Sequence, residues 1–123
     1  METYSMKTIL VAEDNDSNFM LMNYILRQHY AVKRAHDGKE VVEMAGRGGI
    51  DMILMDLKMP MIDGLEATRI ITADNPDIPI IMLTANAFEA DRQAAVEAGC
   101  VDFLSKPINS KICLDTVEKY INR

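Results

Sequence analysis

Five side chains able to do polar chemistry stand at or just after apolar runs of the chain. Glu13 and Asp14 follow Thr8-Ile9-Leu10-Val11-Ala12, and Asp56 closes Asp51-Met52-Ile53-Leu54-Met55. Thr84 follows Ile78-Pro79-Ile80-Ile81-Met82-Leu83, and Lys106 comes soon after Val101-Asp102-Phe103-Leu104. Short uninterrupted apolar runs read as strands buried on both faces, which belong to parallel sheets covered by helices. In open α/β sheets the C-terminal edge of the strands is where ligands bind. If strands one, three, four and five are neighbours, three carboxylates, a hydroxyl and an ammonium converge on one rim. Clustered carboxylates raise one another's pKa values unless a hard cation lies among them. Mg2+ suits such a site, because it takes oxygen ligands from one or two carboxylates together with a phosphate. The set then matches phosphoryl transfer, which needs an in-line nucleophile and neutralised equatorial oxygens. Asp56 is the candidate nucleophile, forming an aspartyl phosphate. Thr84 and Lys106 would hold phosphoryl oxygens, and Mg2+ on Glu13, Asp14 and Asp56 the remaining one.

The elements that must position these groups follow from periodicity. A first helix after Glu13-Asp14-Asn15 is capped by Asp16 or Ser17, with Asn18, Leu21, Met22, Ile25 and Leu26 on its inward stripe. Tyr30 to Ala35 is a weaker strand with polar positions, suited to a sheet edge. Gly38 to Ala45 is a helix with Val41, Val42 and Ala45 inward, closed by Gly46 and Gly48-Gly49. A third helix runs from Gly64 to Ala73, ended by the proline in Asp74-Asn75-Pro76-Asp77. A fourth spans about Ala87 to Ala98 with Gly99 as its C-cap. The last covers Asn109 to Ile121, with Ile112, Leu114, Val117 and Ile121 inward. Five strands alternating with five helices predict a parallel sheet with right-handed crossovers and helices on both faces.

The bulk properties agree. A chain of 123 residues makes one domain, 1–123, with a core of useful size. A net charge of -6 argues against a nucleic-acid-binding domain, which needs a basic stripe. Cys100 and Cys113 sit in no metal or redox spacing and read as reduced core residues of a cytoplasmic protein. No apolar run approaches the length that spans a bilayer, and no signal peptide is evident. The ten methionines read as flexible filling for the core.

Glu13-Asp14, Asp56 followed by Met59-Pro60 and Asp63-Gly64, Thr84-Ala85 and Lys106-Pro107 together resemble the signature of the response-regulator receiver domain. The likeness covers essentially the whole chain. It implies a flavodoxin-like, doubly wound sheet of strand order 2-1-3-4-5. It also implies that Asp56 accepts a phosphoryl group from a phosphohistidine of a histidine kinase or histidine phosphotransfer domain, with Mg2+ as cofactor. By the same resemblance the backbone carbonyl of Lys58 is a metal ligand and Lys106-Pro107 is a cis peptide. Ala85 leaves room beside the phosphate, and Phe103 is the switch aromatic whose movement reshapes the face near the last two helices. The Glu-Asp-Asn start and Asn18 are similar to receivers of hybrid sensor histidine kinases.

Where the commonest pattern of the family has two aspartates, this chain has Glu13-Asp14, so Glu13 can act directly or through water. Lys58 and Asn86, two residues beyond Asp56 and Thr84, flank the path of an attacking water and are candidates for tuning phosphoryl lifetime. Phe19, Met20 and Tyr24 lie off the inward stripe of the first helix beside the acid pair, a candidate docking patch for the phosphodonor. His29 and His36 are placed far from the rim. Three other readings compete: an aspartate-nucleophile phosphatase of haloacid-dehalogenase type, a flavodoxin-like cofactor carrier, which would want a hydroxyl- and glycine-rich phosphate loop where the acids after strand one stand, and a phosphate-independent interaction module. The phosphatase wants a second Asp two residues after the nucleophile, where Lys58 stands, and a cap domain for which the chain is short.

Overall fold

The computed structural model describes residues 6–85 and 89–122. Its elements alternate as expected: β1 (Thr8–Ala12), α1 (Asp16–Leu26), β2 (Ala31–Ala35), α2 (Gly38–Gly46), β3 (Met52–Asp56), α3 (Gly64–Asp74), β4 (Ile80–Thr84), α4 (Glu89–Ala98), β5 (Asp102–Ser105) and α5 (Ser110–Ile121). All pairings are parallel and the strand order is β2-β1-β3-β4-β5. This is the flavodoxin-like order, with the order of winding reversing between β1 and β3, where such sheets bind ligands.

Every residue of β3 and β4 is buried, because helices cover both faces of the central strands. Alternation splits their side chains into two cores. Ile9, Val11, Leu54, Ile81 and Leu83 pack under α1 and α5. Leu10, Ile53, Met55, Ile80 and Met82 pack under α2, α3 and α4. Four methionines, Met22, Met52, Met55 and Met82, are fully enclosed, as a filling role requires, whereas Met6, Met20 and Met61 are exposed. Cys100 and Cys113 are free and buried.

The structure corrects three details. Asn15, not Asp16 or Ser17, caps α1, its side chain accepting the Asn18 N–H at 2.9 Å. On α1 the buried residues are Met22, Ile25 and Leu26, with Phe19 packed against the core, while Leu21 is exposed. On α5 the inward residues are Cys113, Val117, Tyr120 and Ile121; Ile112, at the first turn, is more than half exposed.

Two glycines hold the loop after β3. Gly64 opens α3 with its N–H on the Leu57 carbonyl, and a Cβ there would overlap the Asp56 carbonyl oxygen. Gly38 opens α2 with its N–H on the Pro60 carbonyl, and a Cβ there would overlap the Ile62 carbonyl oxygen. The loop from Leu57 to Asp63 is thus pressed between the starts of α2 and α3. Its tip, Met61, adopts φ 73°.

Candidate active site at the strand ends

Strand register carries the five side chains to one edge. Asp56 is the last residue of β3 and pairs with Leu83; Thr84 is the next residue of β4 and pairs with Ser105. Lys106 continues β5, its N–H donating to the Thr84 carbonyl at 2.8 Å. Glu13 leaves β1 with its N–H on the Ala35 carbonyl. The Lys106-Pro107 peptide is cis, as expected.

The ammonium of Lys106 donates to Glu13 Oε1 at 2.9 Å and lies 3.4 Å from Asp56 Oδ1. Glu13 is 1% exposed and Asp56 7%, so two carboxylates face one cation in a nearly dry setting. Burial, the hydrogen bond to Glu13 and the Glu13 charge push Asp56 up to about 6, against the pull of Lys106 and the Lys58 N–H. Burial alone would raise Glu13 as well. Hydrogen bonds with Asp56 and Lys106, and the Lys106 charge, outweigh it and hold Glu13 below its usual value. As pH falls, Asp56 is therefore the first of the pair to take up a proton.

Glu13, Asp14 and Asp56 each offer a carboxylate oxygen within 4.8 Å of the others. An all-oxygen donor set carrying more negative charge than Lys106 balances suits a hard divalent cation. Asp14 is exposed, and with Lys58 and Pro60 it lines a cleft beside Asp56. Thr84 is buried at the same edge. Phe103, one strand position after the residue paired with Ile81, is half-buried, with the Arg92 guanidinium 4.1 Å from its ring centre. Asn86 lies outside the described residues.

Of the docking candidates, Met20 and Tyr24 are exposed. Phe19 is not, being half-buried under the Arg34 guanidinium at 4.7 Å; Leu21 takes its place in the exposed patch. His29 lies at the opposite edge, before β2. His36 does not lie far from the rim: it directly follows β2 on the same edge, one strand removed, and bonds to Glu40.

Arg34 also reaches the acid loop, although the sequence motifs do not single it out. Its side chain binds the Glu13 carbonyl and the Asp16 carboxylate. The available signal was its alternation with Val32, which places a charge on the α1 side of an edge strand, where it needs partners.

A family model described as the response regulator receiver domain matches residues 9–118. The polar-differentiation response regulator DivK of Brucella anthropi is 31% identical over 118 residues, spanning 94% of this chain and 96% of that one. The receiver domain of the sensor histidine kinase PA1611 from Pseudomonas aeruginosa, solved with a magnesium ion coordinated in its active-site cleft, superposes with a TM-score of 0.90. It is 37% identical and the alignment covers 97% of this chain and 100% of that one. A co-crystal structure of the Saccharomyces cerevisiae phosphotransfer protein Ypd1 with the receiver domain of Ssk1 contains a chain matching at 28% identity and TM-score 0.87, over 97% and 91% of the two chains. A fold, a strand-end cluster and a family match that each stand alone lead to one conclusion: this chain belongs to the response regulator receiver domains of two-component signalling.

Proposed function

We propose that Asp56 is the phosphoacceptor of this receiver and takes its phosphoryl group from a phosphohistidine on a histidine kinase or histidine phosphotransfer partner. The observation that carries the reading is the buried Asp56 carboxylate, 3.4 Å from the Lys106 ammonium and within 4.8 Å of the Glu13 and Asp14 carboxylates. In the transfer an Asp56 oxygen bonds to phosphorus as the P–N bond breaks. The electron pair returns to the imidazole nitrogen, which takes up a proton.

Glu13, Asp14, Asp56 and the Lys58 backbone carbonyl would hold Mg2+, which supplies charge neutralisation at the phosphoryl oxygens when bound. Lys106 and Thr84 hold the oxygens on the other side. Lys106 already faces Asp56, so its charge is in place before the donor arrives. Lys58 and Asn86 adjust the lifetime of the acyl phosphate. Phe103 is the aromatic that responds when Thr84 engages the phosphate, altering the face formed by α4, β5 and α5. Ligand-driven change of this kind extends only as far as the phosphoryl group binds one state better than the other.

The domain assists its own phosphorylation and dephosphorylation and is a signalling module rather than a turnover enzyme. Met20, Leu21 and Tyr24 on α1 form an apolar patch beside the acid loop, and a donor seated there brings its histidine to Asp56. The likeness to a receiver solved with a phosphotransfer protein supports that class of partner. The buried free thiols of Cys100 and Cys113 suit the cytoplasm, where we place the exchange.

The test is incubation with acetyl phosphate and Mg2+ followed by intact-mass measurement. One added phosphoryl group is expected on the native chain and none on Asp56→Asn. Labelling of Asp56→Asn at the native rate would overturn the assignment.

A further inference from the structure

We infer that Arg34 is a positioning residue for the acid loop and sets how tightly Glu13, Asp14 and Asp56 hold a divalent cation. The inference rests on the reading of that cluster as the Mg2+ site. Arg34 leaves β2 beside Val11 of β1 and turns toward the loop, with only 17% of its side chain exposed. Its Nε and Nη2 both lie 3.1 Å from the Glu13 carbonyl oxygen. Nη2 also lies 2.9 Å from Asp16 Oδ1, and the guanidinium rests over the Phe19 ring. One side chain therefore ties the residue that follows β1 to the first turn of α1.

The consequence falls on Asp14. Edge strand β2 satisfies both backbone groups of Glu13: Ala35 accepts its N–H at 3.0 Å and Arg34 donates to its carbonyl. On the other side Asn15 is fixed as the cap of α1, and its N–H points to Glu13 Oε2 at 3.4 Å. Asp14 itself is exposed and takes its direction from these two pinned neighbours. Only a planar guanidinium can bridge carbonyl, carboxylate and ring at once; an ammonium has no fork and stacks less well. Removing an outer contact that orients a metal ligand commonly weakens the metal by about 10- to 100-fold.

Calorimetric titration with Mg2+ alone separates the possibilities, using the native chain, Arg34→Met, Arg34→Lys and Asp16→Asn. Arg34→Met keeps an apolar stem over Phe19 and loses every donor, so its dissociation constant should rise about tenfold or more. Arg34→Lys keeps the charge near Asp16 and should bind several-fold more weakly than the native chain. Asp16→Asn removes only an exposed ion pair and should stay within about twofold. At saturating Mg2+ the labelling of Arg34→Met by acetyl phosphate should return to within about twofold of native, because the defect lies in holding the ion.

Dissociation constants for both Arg34 variants within about twofold of native overturn the inference, including the case where they unfold more easily by the same amount with and without Mg2+. Should Arg34→Met fail to fold, Arg34→Lys decides by the same criterion. A native chain that binds no Mg2+ overturns the metal reading itself, whereas native binding matched by both variants overturns only the role of Arg34.

Discussion

Replacing Asp56 by asparagine keeps the shape of the side chain and removes its titration, which makes the electrostatics of the site measurable as stability. In the folded chain burial and the Glu13 carboxylate move Asp56 from 3.8 to about 6. Folding therefore takes up a proton between those values. An acid raised in this way contributes its full stability below its unfolded value, and that contribution is lost as pH rises through the folded one. The whole displacement is on the order of 3 kcal/mol, and a little under half of it falls between about pH 5 and pH 7.5. Glu13 acts with the opposite sign: its lowered value gives stability present above its ordinary 4.5 and lost as pH falls below it. Working at pH 5 and above keeps the two apart. The assay is urea unfolding in the presence of EDTA, native against Asp56→Asn, at several pH values across that window. The variant is expected to gain on the native chain by about 1 kcal/mol as pH rises. Added Mg2+ should then recover the native chain more than the variant, since a ligand that binds only the folded state stabilises it. A native-minus-variant difference that stays flat with pH would refute the electrostatic account of the site.

Three further outcomes follow from the same geometry. Gly64→Ala drives a Cβ into the Asp56 carbonyl and to 2.9 Å from Leu57 Cα; it should cost about 2 kcal/mol in denaturant unfolding and slow acetyl-phosphate labelling. Lys106→Met leaves Glu13 charged and enclosed, so stability near neutral pH should fall by about 3 kcal/mol. That loss should shrink by about 1 kcal/mol or more when Glu13→Gln is added, as a double-mutant cycle would show. Met20→Glu with Tyr24→Glu should slow transfer from the phosphohistidine partner by about tenfold or more. The same pair should leave labelling by acetyl phosphate within about twofold, because the patch touches the donor and not the acceptor.

The central strands were legible because both of their faces are covered, which turns burial into an unbroken apolar run. Asp56 and Thr84 were legible for a related reason, each being the first polar group after such a run, and Lys106 follows the last strand within two residues, so strand order brings all three to one edge. Surface helices gave less. The stripe read on α1 included Leu21 and left out Phe19, because a helical wheel cannot know that a guanidinium from β2 will roof the Phe19 ring. On α5 Ile112 looked inward by spacing, but Asn109 caps the helix and accepts the Ile112 N–H, leaving that residue in the exposed first turn. Arg34 lies in, and His36 just after, a strand whose polarity announced an edge without saying which way each side chain turns. Those directions depend on partners distant in sequence, and no local pattern encodes them.

The sheet also partitions the molecule into two rooms. Met20, Leu21 and Tyr24 stand on α1, over one of them, while Phe103 packs with the core beneath α2, α3 and α4, in the other. The docking proposed for α1 and the movement proposed for Phe103 thus fall on opposite faces of a five-strand wall.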